Sequence, residues 1–303
     1  MFYNCYNLLE FDAPLPSLSN GNNMFYYTSI SEFTTDLPSL TDGSGMFYDC
    51  DNLKTFKSNL QNLSTYTNMF MDTKLNTFNG GTINISDTGS SFMTNSRLSD
   101  SKDTLTSFYG TLSNMTNTSS MFEGYTELYS VTASMDSVTN ATNMFGSIRE
   151  RDNNGNIKII SQCEKLEQLN CSMNSLQKGN HMLRDCPKLN ENNTNLGYFY
   201  NTLTDGLCMF QGTSFTSIPW YFPNLTRSKQ MFSRTNISGH LSLDMTTQFP
   251  EVSTNNGEWS DPASYMFSYC PITSIDFDVS SLDNGISMFA HCTQLTQCTG
   301  AKF

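Results

Sequence analysis

One short phrase recurs along the chain at a nearly constant spacing, and this spacing constrains the fold more than any other feature. The phrase appears as "MFYNCYNLLEF" from Met1 and as "MFYDCDNLKTF" from Met46. Its copies begin at Met1, Met24, Met46, Met69, a degenerate Ser91, Met121, Met144, Met182, Met209, Met231, Met266 and Met288. Most steps between copies are 22 or 23 residues. Because a sequence period of about 20 to 50 residues is typical of solenoids, the chain is predicted to be one.

The fifth position of the phrase carries either Cys or Thr, and this choice accompanies the two step lengths. In most Cys copies two residues precede the next apolar residue, whereas in Thr copies such as Thr28 and Thr73 only one does. The Cys copies are Cys5, Cys50, Cys163, Cys186, Cys270 and Cys292. We expect either small polar tip to lie inside a turn and to bond to a backbone carbonyl that would otherwise be unpaired.

Each repeat is too short to form a core of its own. It carries about five or six apolar residues, which become a continuous core only when the repeats stack on one another. Segments such as Leu53–Phe56 are short and combine β-forming residues with polar ones, so we expect one strand in each coil. The sequence therefore predicts a single solenoid over residues 1–303, of about twelve coils, with short parallel strands joined by loops.

The phrase resembles the BspA-type leucine-rich repeat, whose units read "(A/M)F-x-x-C-x-x-L-x-x-(I/V/F)". Copies such as Met46–Phe56 match this pattern closely, and the resemblance extends over nearly the whole chain. The chain departs from the pattern in its many Phe residues and in its insertions. The resemblance implies a leucine-rich-repeat solenoid that is non-catalytic and serves as a surface adhesin or host-contact protein of bacteria, some protists or some phages.

The charge balance excludes several classes of partner. Lys and Arg total 16 against 28 Asp and Glu, which gives a net charge of −12. Nucleic acid and anionic lipid are bound by basic side chains that displace counterions, so we expect neither as a partner. No stretch approaches the roughly 18 apolar residues of a membrane span. The residues after Met1 also lack the basic start and long apolar block of a secretion signal.

The cysteines are predicted to be buried thiols. Neighbouring coils could bring Cys163 and Cys186 within disulfide range. However, the count is odd, there is no C-x-x-C, and Thr, which cannot form a crosslink, replaces Cys at the same position. Cys298 is expected in the core, whereas Cys171 and Cys208 have no assigned position.

No pattern in the sequence predicts catalysis, a metal site or a cofactor. The three histidines lie far apart, and no nucleophile elbow, phosphate-binding loop, metalloprotease or dinucleotide motif is present. Asp276 and Asp278 would share one face of a strand and could hold calcium. Since no Gly-bearing loop accompanies them, we interpret them as a solvated strand face.

Insertions near residues 97–104, 146–162 and 250–262 break the rhythm of the repeat. Solenoids commonly place recognition surfaces on such loops, and the third of them carries Trp259. The alternative interpretation of each loop is neutral drift in an exposed turn.

The second insertion has the pattern of a β-hairpin that projects from the solenoid. Its Asn154-Gly155 pair lies between charged and apolar flanks, which is a strong hairpin signal. It also concentrates Arg149, Arg151 and Lys158 on an otherwise acidic chain. Arg149, Arg151 and Asn154 are therefore candidate ligand-binding residues.

The stretch "SIPWYFPNL" is the other candidate for binding. Three aromatic residues in succession cannot all point inward from a strand, so at least one of Trp220, Tyr221 and Phe222 should face solvent. Exposed Trp and Tyr commonly anchor partners, and Trp220 and Tyr221 are the candidates here. The alternative is that the three rings form an aromatic cap over the edge of the core.

These observations predict a non-catalytic recognition protein, located on a bacterial cell surface or a virion. It would present a long polar face of the solenoid and projecting loops that bind a protein or a glycan during attachment. The alternative is a structural spacer or assembly subunit that stacks on copies of itself or on partner subunits. The chain starts on the phrase at Met1 and stops part-way through a coil at Phe303, so neither end has the pattern of a polar cap. We expect a missing segment, a partner subunit or a second copy to cover at least one end.

Overall fold

The chain forms, in a computed structural model, a stack of coils whose short strands lie side by side. The structure describes residues 1–152, 154–250, 252, 263–278 and 285–302. Within these ranges the strands are β1 (Glu32–Phe33), β2 (Thr55–Lys57), β3 (Thr77–Thr82), β4 (Ser107–Thr111), β5 (Ser130–Ser134), β6 (Ile148–Arg151), β7 (Ile157–Ser161), β8 (Gln168–Ser172), β9 (Thr194–Asn195), β10 (Gly239–Asp244), β11 (Ile272–Asp278) and β12 (Gln297–Lys302). The helices are α1 (Gly89–Asn95) and α2 (Met245–Gln248), with 3-10 helices at Leu98–Ser101 and Phe199–Asn201.

The strands form two parallel sheets and one hairpin. The larger sheet has seven strands in the order β1-β2-β3-β4-β5-β8-β9, and the smaller one runs β10-β11-β12. Register keeps equivalent repeat positions opposite one another, so that Phe33 pairs with Phe56 and Phe56 with Phe78. The predicted solenoid of short parallel strands is confirmed.

Two coils lack the strand that the repeat predicts. In the coil between β9 and β10, Pro219 has no backbone N–H to donate, and no strand forms over residues 214–222. The N–H of Thr216 donates to Oε2 of Glu191 at 3.1 Å, so a side chain replaces the backbone partner there. Residues 8–11 of the first coil also have no strand. The expectation of one strand per coil was therefore wrong for these two coils.

The core consists of stacked aromatic columns. The rings of Phe25, Phe47 and Phe70 follow one another with centroids 5.6 and 5.8 Å apart, each pair within 4° of parallel. A second column, which includes Phe33 and Phe56, meets the first edge-to-face, as Phe47 and Phe56 do at 71°. Offset stacking and edge-to-face contacts are the favourable arrangements of aromatic rings, which accounts for the chain's preference for Phe.

Most coils turn at two residues with positive φ, one on each side of the Met-Phe pair. Asn23 (φ 50°) precedes Met24, and Asp49 (φ 57°) lies three residues after Met46. Between such turns the backbone bonds to the next coil, as the N–H of Phe25 does to the carbonyl of Met46 at 2.9 Å. Most of these residues are not Gly, so the bonds to neighbouring coils stabilise a conformation that the residues themselves disfavour.

Thr and Cys at the turn position bond to different carbonyls. Thr73 donates to the carbonyl of Phe70 in its own coil at 2.7 Å, and Thr213 and Thr235 follow the same pattern. Cys50 instead donates to the carbonyl of Phe25 in the preceding coil at 3.1 Å. The other Cys turns that bond to the preceding coil are Cys163, Cys186, Cys270 and Cys292. The predicted bond to a carbonyl is confirmed, and Cys uses it to link coils.

The cysteines are unpaired thiols, seven of them buried and two exposed. Cys171 and Cys208, which had no predicted position, are buried. Cys5 and Cys298 are exposed, so the predicted core position of Cys298 and the buried turn position of Cys5 were wrong. Both lie in the outermost described coils, where no further coil packs against them.

The insertion at residues 97–104 is part of the wall of the solenoid, although it was expected to be an exposed loop. It follows α1, which contains the degenerate copy of the phrase and buries its Phe92 in the core. Its 3-10 helix buries Leu98 and Ser101, and the hydroxyl of Ser101 accepts the N–H of Leu75 at 2.9 Å. The extra residues therefore fill space between coils.

A few residues before several of the Met-Phe pairs, hydroxyl side chains donate hydrogen bonds to the preceding coil, and we call this line of residues the rim. Thr41 donates to the carbonyl of Ser19 at 2.9 Å, and Ser64 donates to the carbonyl of Thr41 at 3.0 Å. Thr204 and Thr226 repeat the arrangement further along the chain, each at 3.0 Å. The Ser and Thr of the repeat thus satisfy backbone acceptors that face solvent.

Candidate ligand-binding groove

The outward face of the seven-stranded sheet carries a row of mostly neutral polar side chains. Strand register places in one row Lys57, Asn79, Tyr109, Thr132, Asn170 and Asn195. Side chains alternate between the two faces of a strand, so these residues point outward while their neighbours, such as Phe78 and Phe108, are buried. Lys57 is the one charged member of the row.

A groove of about 500 Å³ lies over β2, β3, β4 and β5 on this face. It exists because β3 contains a bulge: its register shifts between Asn79 and Thr82, so that Gly80 and Gly81 lie opposite Gly110 alone. Gly81 has a φ of +57°, and a Cβ there would lie 3.0 Å from the Cα of Asn59. The floor of the groove therefore depends on residues without side chains.

The predicted hairpin is present. Strands β6 and β7 pair in antiparallel fashion, with Arg151 opposite Ile157, and the turn contains Gly155 at a φ of 82°. Ser161 at its base donates to the carbonyl of Gly124 at 2.9 Å. Ile157, Ile159 and Ile160 are exposed. The hairpin is thus anchored at its base and exposed at its end.

The hairpin residues proposed for binding lie in two different environments. Arg149 turns back to the solenoid, where its Nε donates to Oδ2 of Asp185 at 3.0 Å and its side chain is 19% exposed. Arg151 is exposed and donates to the carbonyl of Gly155 at 3.0 Å. Asn154 is exposed in the turn. Arg149 therefore anchors the hairpin, whereas Arg151 and Asn154 remain available to a ligand.

A cluster of positive charge lies beside this anchor. Nη1 of Arg184 lies 2.9 Å from Nδ1 of His181, and Nη2 of Arg184 donates to the carbonyl of Ser147 at 3.0 Å. Burial, together with the nearby charges of Arg184 and Arg149, lowers the pKa of His181 to about 4. His181, which is partly exposed, is therefore neutral in the folded protein near pH 7.

The three consecutive aromatic residues alternate as predicted. Phe222 is buried, Tyr221 is 46% exposed, and Trp220 is partly buried. The indole of Trp220 stacks on Phe210 with centroids 5.1 Å apart and meets Phe199 edge-on at 5.2 Å. Trp220 is thus part of an aromatic cap over the core edge, and Tyr221 is the member that faces solvent. Trp259 lies outside the described residues.

The described residues were also compared with the requirements of a metal site and of a membrane span. Within them, no three His, Cys, Asp or Glu side chains come close enough together to hold a metal ion. Among the same residues, no helix has the length and apolar character needed to span a membrane.

The repeat geometry agrees with a comparison against protein families. The family model described as BspA type leucine rich repeat region matches six copies in residues 1–99 and 242–302, together more than half of the chain. The chain belongs to the BspA-type leucine-rich repeat family. Comparisons with curated proteins and with solved structures found no match.

The BspA-type repeat continues through the part of the chain that the family model does not match. Between residues 100 and 241 the turn position before Cys or Thr still has positive φ, at Asp185 (61°), Gly212 (73°) and Arg234 (59°). These three turns of this BspA-type protein therefore keep the geometry of the repeat in a part of the chain that the family model does not match. Members of the family are generally non-catalytic, are typically associated with surfaces, and commonly bind other proteins.

Proposed function

We propose that this BspA-type protein is a non-catalytic recognition protein that attaches its carrier to a cell surface by binding a protein or a glycan. The carrier is a bacterial cell or a virion, so the protein functions outside the cell that makes it. The observation that carries this proposal is the polar groove on the seven-stranded sheet. The exposed end of the β6–β7 hairpin provides a second contact surface.

The surface around the groove is rigid, which favours recognition. Each of β2, β3, β4 and β5 is paired on both sides, so the backbone beneath the groove has its partners in place before any ligand arrives. A preorganised site loses little conformational entropy on binding.

Binding of the labelled protein to whole cells tests the proposal. We expect saturable binding to at least one of three surfaces, namely Gram-negative bacteria, Gram-positive bacteria and cultured epithelial cells, with displacement by unlabelled protein. The double variant Tyr109→Ala/Arg151→Ala should bind more weakly, because it alters the groove and the hairpin. Tyr198→Ala, which removes an exposed tyrosine outside both, is the matched control. Absence of saturable binding to all three surfaces would contradict the proposal.

Assembly through the first coil is a second candidate function, and exposed apolar side chains support it. Met1 is 88% exposed and Leu9 is 63% exposed, while Phe2 is only partly buried against the core. A preceding segment of a longer protein, a partner subunit or a second copy would cover the same side chains. The chain would then act as a spacer that holds neighbouring subunits in line.

A further inference from the structure

We propose that the groove over β2–β5 binds a neutral oligosaccharide. The inference rests on the recognition function proposed above and specifies the chemical class of the ligand. It is carried by three properties of the groove: its neutral lining, its unused hydrogen-bonding groups, and a buried hydroxyl without a partner.

The lining of the groove is neutral along most of its length. Side chains of Asn79, Thr111, Thr132 and Ser134 contribute hydroxyl and amide groups. The two charged residues lie at the N-terminal end of the groove, Lys57 on β2 and Asp36 in the loop after β1. A chain of net charge −12 that offers a single Lys here does not complement an acidic ligand. Hydroxyl and amide groups complement the hydroxyls of a neutral sugar, since both can donate and accept hydrogen bonds.

Three hydroxyls of the groove differ from those of the rim in how they are used, whereas Asn79 and Ser134 already bond to other groups of the protein. On the rim, Thr41 and Thr226 donate to carbonyls of the preceding coil. In the groove, the hydroxyls of Thr111, Thr132 and Tyr109 have no hydrogen-bond partner among the described residues. They therefore stay available to a ligand at positions fixed by the spacing of the strands.

Ser58 provides the independent observation. The residue belongs to the lining of the groove and is only 3% exposed, and its Oγ has no hydrogen-bond partner among the described residues. A buried polar group without a partner is uncommon in folded proteins. The Oγ itself has almost no accessible surface, so a change of its χ1 rotamer would bring it to a ligand hydroxyl seated in the groove and complete its hydrogen bonding.

Tyr109 supplies the apolar contact that a sugar ring requires. It is the aromatic residue of the lining and lies at the centre of the outward row, between Asn79 and Thr132. Its ring is partly exposed. A tyrosine combines a flat apolar surface with a polar tip, which suits a ligand that has apolar C–H faces and hydroxyl edges.

An extended peptide fits the groove less well. Peptides that bind to sheets commonly add a strand at a free edge, and β2–β5 all lie inside the sheet. The lining of the groove also contains no Leu, Ile, Val, Met or Phe that could form an apolar pocket for a peptide side chain. The exposed Ile157, Ile159 and Ile160 lie on the hairpin instead.

Calorimetric titration with defined oligosaccharides tests the proposal. The probes are cellohexaose, laminarihexaose, maltohexaose, mannohexaose and chitohexaose, with a heparin hexasaccharide as the acidic counterpart. We expect at least one neutral probe to bind and the acidic one not to. Tyr109→Ala should weaken that binding about tenfold, the loss expected for one aromatic contact. Tyr198→Ala should leave the affinity unchanged.

Ser58→Ala separates a ligand-binding role from a structural one. If the hydroxyl serves the ligand, its removal weakens sugar binding without lowering the thermal midpoint, because the fold loses no hydrogen bond. An unchanged affinity would remove Ser58 from the site.

Failure of this inference is distinguishable from failure of the recognition function. Periodate oxidation of the cell surfaces in the binding assay destroys glycans, whereas trypsin removes proteins. Saturable cell binding that withstands periodate, together with no response to the neutral probes, would overturn the saccharide assignment and leave the recognition function standing. Binding of neutral probes that Tyr109→Ala does not weaken would place the sugar site elsewhere.

Discussion

The turn position shows how one side chain changes what a coil contributes to the fold. Thr73 satisfies a carbonyl of its own coil, whereas Cys50 satisfies a carbonyl of the preceding coil. A thiol is a weak donor, yet the bond repeats at each buried Cys turn and lies where water cannot compete. The cysteines therefore have a structural role that requires them to remain reduced.

Thiol reactivity checks this role. Burial raises the pKa of Cys163 and of Cys171 to about 12, so neither forms a reactive thiolate near pH 8 in the folded state. We expect a thiol reagent to modify only the exposed Cys5 and Cys298 rapidly in native protein, and all nine cysteines after denaturation without reductant. The double variant Cys5→Ser/Cys298→Ser should lose the rapid phase. Several thiols missing after denaturation would reveal disulfides and contradict the prediction.

His181 predicts an acid-sensitive component of stability. Its pKa falls from 6.5 to about 4 in the folded protein, so below pH 6.5 the unfolded chain takes up a proton that the folded chain does not. Stability should therefore fall as the pH falls from 6.5 toward 4, and the contribution should level off below that. Thermal midpoints across this range should fall less steeply for His181→Gln than for the wild type. Parallel curves for the two proteins would show that His181 does not titrate as described.

Single residues also show where sequence-based prediction reached its limit. The prediction that at least one of three consecutive aromatics would face solvent is confirmed by Tyr221, although the strand on which it was argued does not form there. The burial of Ser58 could not be predicted, since it depends on a neighbouring coil. The positive φ of Arg234 and Tyr265 was also missed, because these residue types do not indicate that conformation.

At the scale of elements, two arginines of β6 have different roles: one anchors the hairpin to the solenoid and the other faces solvent. Arg149 forms an ion pair with Asp185, which is itself largely buried, whereas Arg151 is exposed. Arg149→Ala should lower the free energy of unfolding by about 1–3 kcal/mol, because it leaves a largely buried carboxylate without its ion-pair partner and with only the hydroxyl of Ser147 as a donor. Arg151→Ala should change it by less than about 0.5 kcal/mol. Urea denaturation of both variants measures the difference, and equal effects would show that the anchor does not stabilise the fold.

The elements that the repeat did not predict have local causes. The missing strand between β9 and β10 follows from Pro219 and from the carboxylate of Glu191, which binds the N–H of Thr216. The groove follows from the bulge at Gly80 and Gly81. In the sequence alone, a pair of glycines indicates an ordinary turn equally well. Spacing predicts where a coil begins and ends, but a bulge depends on pairing with the next strand, and this pairing is visible only in three dimensions.

For the whole molecule, the apolar edge of the first coil predicts concentration-dependent association of the chain as it stands. Leu9→Gln together with Tyr6→Ser should shift the equilibrium toward monomer, because both side chains are exposed there. Tyr198→Ser, on a distant coil, should not. Light scattering coupled to size exclusion measures the change. A monomer at every concentration, in all three proteins, would contradict the assembly function.

The whole fold was the most predictable level, because a period repeated about twelve times averages out the exceptions in single coils. Phe92 within a helix and the strandless segment at 214–222 each break the pattern once. Even so, β3 and β4 still pair on either side of Phe92, and Met231 still follows Met209 by 22 residues. The proposed binding surface was less predictable. A polar face of the solenoid was expected to contribute together with projecting loops, but the candidate residues lay on the loops and the aromatic stretch, whereas the groove lies on the sheet.

The bond from each buried Cys turn to the preceding coil has an evolutionary consequence. Since every such bond reaches one coil back and no further, unequal recombination that inserts or removes a whole coil leaves each remaining coil with a neighbour of the same geometry. A cut in the middle of a coil would separate donor from acceptor. Evolution can therefore lengthen or shorten the solenoid by whole coils without a change in the core of the coils that remain.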